Sequence, residues 1–360
     1  MKTTAPPPAR APAAAPAPAA SAPHLIERLQ RSAGNRAVTA FLQRQPVETK
    51  EHLSAGQAAH AVAFYTSRPE LYPADVIVKI QKAVGSPQTG VADSEMAQAV
   101  ANWQFPQSLK PDGMAGPRTL PRMFESGLAE KKSREAVVKT TEAVQHDWKD
   151  LKTAEARAAK LYEGVKAQLE AAGVKPAPKH EVKDLGKIVG LYVPKSWTIF
   201  FDDDSFSAPD IDDDGARDVA GTVYHEARHA EQGYKMARML AAKGNSPEQI
   251  SAKMQLHIDA ATGAHANPLP KGVEFATAAQ QFDSVYGPGK AQHEKAEREA
   301  VTSAELRAAK QAADDNPTAA NKAHYQRLVA AYRAYHDLPT ENDAFGTELS
   351  FEESWDEAHP

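Results

Sequence analysis

Val223-Tyr224-His225-Glu226-Ala227-Arg228-His229-Ala230-Glu231-Gln232 places two imidazoles and a carboxylate within one turn of each other, provided the stretch is helical. The flanks say that it is. Val219, Val223 and Ala227 recur at helical spacing, and no proline interrupts Ile211 to Asn245. On a helix, His225 and His229 point the same way. Two neutral imidazoles at that spacing can hold one Zn²⁺, and Glu226, beside the first, can take a proton from a water that the metal activates. Gln232 lies one turn beyond His229, where it can touch substrate or brace the helix.

A hydrolytic zinc site needs a third protein ligand and an open position. The chain of 360 residues has no cysteine, so that ligand must be a His or a carboxylate. Glu341 and Glu348, seven apart, share a helix face with Ala344, whose small side chain allows close helix packing, whereas Asp343 points about 200° from Glu341. Glu341 is therefore the expected ligand, with Glu348 and Asp343 behind it. Thr340 is the expected N-cap of that helix, and Tyr335 or His336, just before it, is a candidate oxyanion stabiliser or a helix-end residue.

Composition narrows the classes. The hydrophobic fraction of 42% suffices for ordinary cores, and the net charge of -5 gives no pull toward nucleic acid. No apolar run reaches the roughly 20 residues of a membrane span. The N-terminus lacks the apolar core of a secretory signal, and a cysteine-free chain tolerates both reducing and oxidising surroundings.

The pattern reads as mainly α (α+β), in four parts. Residues 1–50 comprise a disordered Pro/Ala arm and a basic amphipathic segment, in which Leu25, Leu29 and Ala33, then Val38, Phe41 and Leu42, form apolar stripes opposite Arg28, Arg31, Arg36 and Arg44. Such a segment needs a partner surface. Residues 51–129 form a small helical domain in which Val76, Ile80 and Val84, then Met96, Val100 and Trp103, line its core, Asp112-Gly113 turns, and Gly116-Pro117 with Thr119 starts the third helix. Residues 130–178 read as one long helix and linker, with Val144, Trp148, Leu151, Ala158, Tyr162, Val165 and Leu169 at helical spacing. Residues 179–360 carry the metal motif, preceded by a hairpin of 187–193 and 197–201 and followed by helices over 247–258, 291–313 and from Pro317 to about Tyr335. Asp210-Ile211-Asp212-Asp213-Asp214-Gly215 matches the opening of a calcium loop, but Gly221 stands where such a loop needs a bidentate Glu, so a solvated acidic loop is expected, with calcium as the alternative.

Three resemblances add to this reading. Leu29-Gln30-Arg31-Ser32-Ala33-Gly34-Asn35-Arg36-Ala37-Val38 resembles a segment near the N-terminus of proteins associated with extracellular contractile injection systems. That implies a cargo made in the bacterial cytoplasm without a Sec signal, loaded through residues 1–45 into a particle component and delivered outside or into target cells. Residues 51–129 resemble a three-helix peptidoglycan-binding-like domain, through Ile80-Gln81-Lys82-Ala83-Val84-Gly85, Ala99-Val100-Ala101-Asn102-Trp103-Gln104 and Lys110-Pro111-Asp112-Gly113; the implied partner is peptidoglycan, though such modules also serve as docking units. The C-terminal half resembles His-Glu-x-x-His metallopeptidase-like, zincin-like domains of injection-system and toxin proteins, through Tyr224 to Gln232 and Leu338-Pro339-Thr340-Glu341-Asn342-Asp343-Ala344. It implies zinc and hydrolysis of a protein or peptide substrate. The alternative is an anchored binding or structural protein with a structural metal.

Overall fold

The structure, a computed structural model, describes residues 52–107, 109–186, 189–301 and 303–359. The expected arm and loading segment within residues 1–50 lie outside them. The described chain is mainly helical, with one small sheet, and none of its helices is long and apolar enough to cross a membrane.

Helices α1 (Ala55–Thr66), α2 (Ala74–Val84) and α3 (Ser94–Gln104) and the short α4 (Thr119–Met123) enclose a core of Tyr65, Tyr72, Val76, Ile77, Ile80, Met96, Val100 and Leu120. Trp103 is half-buried and outside this core; its neighbour Gln104 takes the buried position. The reason is polar. Gln104 Oε1 accepts from Gly113 N at 3.0 Å while its Nε2 donates to Met114 O at 2.9 Å. One helix earlier Gln81 does the same, accepting from Gly90 N at 3.0 Å and donating to Val91 O at 2.9 Å. A buried amide thus builds each loop by the same bonds, in a repeat of spacing nine that hydrophobic periodicity does not register.

The single helix expected over 130–178 is two, α5 (Lys131–Asp147) and α6 (Ala154–Ala171), folded as a hairpin. Asp150 N and Leu151 N both turn back to Asp147 O, and the Thr153 side chain caps the second helix through Ala156 N. The hairpin belongs to the main core, where Val144, Trp148, Leu161, Tyr162 and Leu169 are buried with the metal-motif helix.

Strand β1 (Lys179–Lys183) pairs parallel with β3 (Thr198–Asp202), and β2 (Gly190–Val193) pairs antiparallel on its other side, so the order is β1-β3-β2. The expected hairpin is therefore β2-β3. Strand β1 escapes sequence reading because Lys179-His180-Glu181-Val182-Lys183 has one apolar residue.

A short α7 (Asp203–Ser207) leads to α8 (Asp213–Ala242), 30 residues long and buried over most of its surface. The acidic stretch supplies its start: Asp212 accepts from Gly215 N at 2.8 Å as N-cap, and Asp213 and Asp214 occupy the first turn, where they complement the helix dipole. Asp210 pairs with Lys149 at 2.9 Å, and Gly221 is inside the helix, so these residues form no twelve-residue calcium loop.

Helices α9 (Pro247–Met254), α10 (Ile258–Ala266), α11 (Val273–Val285), α12 (Lys290–Glu299), α13 (Ser303–Asp315), α14 (Ala319–His336) and α15 (Pro339–Ala358) complete the chain. Two expected helices are interrupted: Gln255, at φ 51, separates α9 from α10, and Ala300 ends α12 before α13. Leu338, not Thr340, is the N-cap of α15, because Pro339 takes the first helical position and leaves Thr340 inside. Helix α15 lies along α8, with Ala344, Phe351 and Trp355 buried at the contact.

Candidate metal centre

His225, His229 and Glu341 come together between α8 and α15, with one ligand atom from each lying within 4.8 Å of the others. The two Nε2 atoms are 3.0 Å apart, and Glu341 places Oε2 at 3.8 Å from His225 Nε2 and Oε1 at 3.5 Å from His229 Nε2. For tetrahedral zinc at about 2.05 Å from each ligand, donor atoms stand about 3.3 Å apart, which these separations bracket. The donor set, two nitrogens and a carboxylate oxygen with no thiolate, suits a borderline divalent metal.

The outer nitrogen of each imidazole is occupied, which leaves Nε2 as the atom that could hold a metal. His225 Nδ1 is 2.9 Å from Glu348 Oε2, and His229 Nδ1 is 3.1 Å from Gln232 Oε1. Such partners fix the ring tautomer and orientation of a ligating histidine. Glu348, weighed as a ligand, is thus the partner of one. Gln232 is a brace, its Nε2 donating to Thr340 O at 2.9 Å and Asp343 Oδ2 at 2.8 Å. Asp343 stays out of the cluster and pairs with Arg228.

Tyr335 Oη donates to Glu341 Oε2 at 2.8 Å, so its hydroxyl orients the ligand carboxylate and is not free to meet an oxyanion. His336 stacks between Tyr332 and Phe345 at 4.0 Å from each, and burial pushes its pKa down to about 3. It is a neutral packing residue. Phe345 in turn packs on the His225 ring at 4.6 Å.

The electrostatics favour a cation. Burial alone would raise the Glu341 carboxyl, yet His229 and His225, with the Tyr335 bond, hold it well below the usual carboxylate range. Burial would likewise depress His229, and Glu341 reverses that.

Glu226, 1% exposed, accepts from Tyr192 N of β2 at 2.7 Å, and burial lifts its carboxyl above its ordinary value against the opposing pull of His225 and His229. Strand β2 can approach this closely because residue 190 is glycine: a Cβ there would stand 2.9 Å from Glu226 Cγ and from Thr222 Cγ2. Sequence reasoning missed this bond, as it missed the roles of Arg228 and Glu231. The signal for both was two opposite charges three residues apart among the small and apolar residues of the motif, Ala227, Ala230 and Gly233. The cluster is closed, with His225 2% exposed, and His229 is the most exposed ligand at 16% of its side chain. The chain matches no family model, no curated protein and no solved structure.

Proposed function

We propose that the chain is a zinc-dependent endopeptidase of the His-Glu-x-x-His type, a toxin or effector cargo of a contractile injection particle. The observation that carries it is the convergence of His225, His229 and Glu341, at separations that suit zinc, beside the buried carboxylate Glu226. Zinc held by His225, His229 and Glu341 would supply a Lewis acid for activating a water and polarising a scissile carbonyl. Glu226, whose carboxyl burial lifts above its ordinary value, would act as general base toward such a water and return the proton to the leaving amine. Glu348 and Gln232 hold the imidazoles, and Tyr335 holds the ligand carboxylate. Strand β2 is at the sheet edge, where a peptide can add as a further strand, and its Tyr192 amide already reaches Glu226.

Purified protein incubated with proteomes of candidate target cells, against its Glu226→Gln form, tests the hydrolytic half: new N-termini are expected with the wild type alone. Delivery rests on the Leu29–Val38 resemblance. Removal of residues 1–45 should abolish co-purification with injection particles and leave zinc content and hydrolysis intact; normal packaging of the truncated chain contradicts it.

One observation favours a second reading. The cluster is almost sealed, as in a structural metal site, which fits a particle- or cell-wall-anchored binding protein. Binding to peptidoglycan sacculi, together with zinc but identical proteome digests from wild type and Glu226→Gln, would select it.

A further inference from the structure

Arg228 lies between the two histidines in sequence and points elsewhere. It is 4% exposed and spends its guanidinium on three partners: Nε and Nη2 grip Asp343 side-on at 3.1 and 3.0 Å, and Nη1 reaches Glu231 Oε2 at 2.7 Å and Ser126 O at 2.9 Å. Asp343 is two residues past Glu341 and so on the opposite side of the first turn of α15. That turn is held at two points, by Glu341 in the cluster and by Asp343 on Arg228. Phe351 and Trp355 seat the later turns of α15 against α8, and the Asp343 fork fixes the rotation of the first turn, which aims Glu341 at the histidines. Gln232 joins both anchors, because its amide touches His229, Thr340 O and Asp343.

We infer that Arg228 is a positioning residue for the metal site, acting through the fork it makes with Asp343 to fix the ligand Glu341, although it touches no ligand itself. The same guanidinium holds the segment entering α5, since Ser126 O accepts from it and Leu128 N donates to Glu231 at 3.1 Å. The seat of that segment and the aim of Glu341 therefore share one residue. A planar bidentate fork matters more here than a positive charge, and lysine cannot supply it.

The inference rests on the zinc reading. Three proteins are needed: wild type, Arg228→Lys, and Arg228→Met with Asp343→Leu, the last removing both members of the fork while Glu231 keeps Lys235 at 2.8 Å. Zinc affinity is measured by chelator competition, cobalt(II) absorption reports site geometry, and thermal unfolding of the metal-free proteins reports the fold. Both variants are expected to bind zinc about 10- to 100-fold more weakly, the effect usual for residues supporting a ligand, with altered cobalt bands while the metal-free double variant still unfolds cooperatively. Equal zinc affinity in all three overturns the positioning role and leaves the metal site standing. Absence of zinc and cobalt binding by the wild type overturns the metal site and this inference with it.

Discussion

Gly127→Ala is expected to be among the most damaging single-methyl changes in the chain. Gly127 has φ 63, where an alanine costs about 1 kcal/mol. The larger effect is steric, because a Cβ there would stand 1.7 Å from Glu231 Oε1. A surface glutamate would swing away, but Glu231 cannot. It is 0% exposed, accepts from Leu128 N and Arg228 Nη1, and lies 2.8 Å from Lys235 Nζ, an ion contact off the ideal hydrogen-bond direction. Moving the carboxylate breaks its contacts with Arg228 and Lys235, leaving Arg228 on Asp343 and Lys235 on Glu274, and breaking buried pairs of this kind costs about 3–5 kcal/mol. The total, about 4–6 kcal/mol, approaches the whole stability of an ordinary domain. Urea unfolding followed by circular dichroism should show that loss, or no folded protein at all. A loss below about 1 kcal/mol would mean that Glu231 has somewhere else to go, and would contradict its place at the centre of this network.

Glu348 should act through His225: replacement by Leu is expected to weaken zinc binding by about 10- to 100-fold, and by Gln, which still accepts from Nδ1–H, by less. Equal affinities in a chelator competition would show that the contact carries no weight. Acid should unfold the protein in two overlapping windows. The His336 pKa is depressed to about 3 by burial, so the unfolded chain gains a proton first and stability falls as pH drops below about 6.5. Burial would raise the Glu231 carboxyl, but Arg228 and Lys235 hold it at about 2; its contribution, about 3 kcal/mol, is present above 4.5 and lost as pH falls toward 2. Stability measured from pH 7 to 3 should therefore decline throughout, and His336→Phe should flatten the upper part of the decline; an unchanged slope in that variant contradicts the assignment.

The parts of the site that a reader of the sequence can find are those fixed by helical geometry. His225 and His229 share a face because they are four apart in a stretch without breakers, and Glu341 was reachable because Ala344 marks the face of α15 that packs closely. Glu348 lies on that same face, and only the distances put Glu341 in the cluster with both histidines and Glu348 on the outer nitrogen of His225. What stayed hidden depends on tertiary contacts. Strand β1 forms from a lysine-rich pentapeptide because β3 offers it a parallel edge. The α5-α6 turn forms where Trp148 donates to Ala208 O at 2.8 Å and Arg157 reaches Phe206 O at 2.7 Å, partners 60 and 49 residues away. Trp103 yielded its expected core place to Gln104 because a buried amide can organise a loop, a preference that apolar periodicity does not carry.

The most direct measurement is metal content paired with hydrolysis in three proteins purified without chelator. Wild type should carry about one equivalent of zinc, His225→Ala almost none, and Glu226→Gln the wild-type amount with peptide hydrolysis abolished, since that change removes only the base. Wild-type zinc below about a tenth of an equivalent, unchanged by His225→Ala, would contradict the metal site, and full hydrolysis by Glu226→Gln would contradict the role given to Glu226.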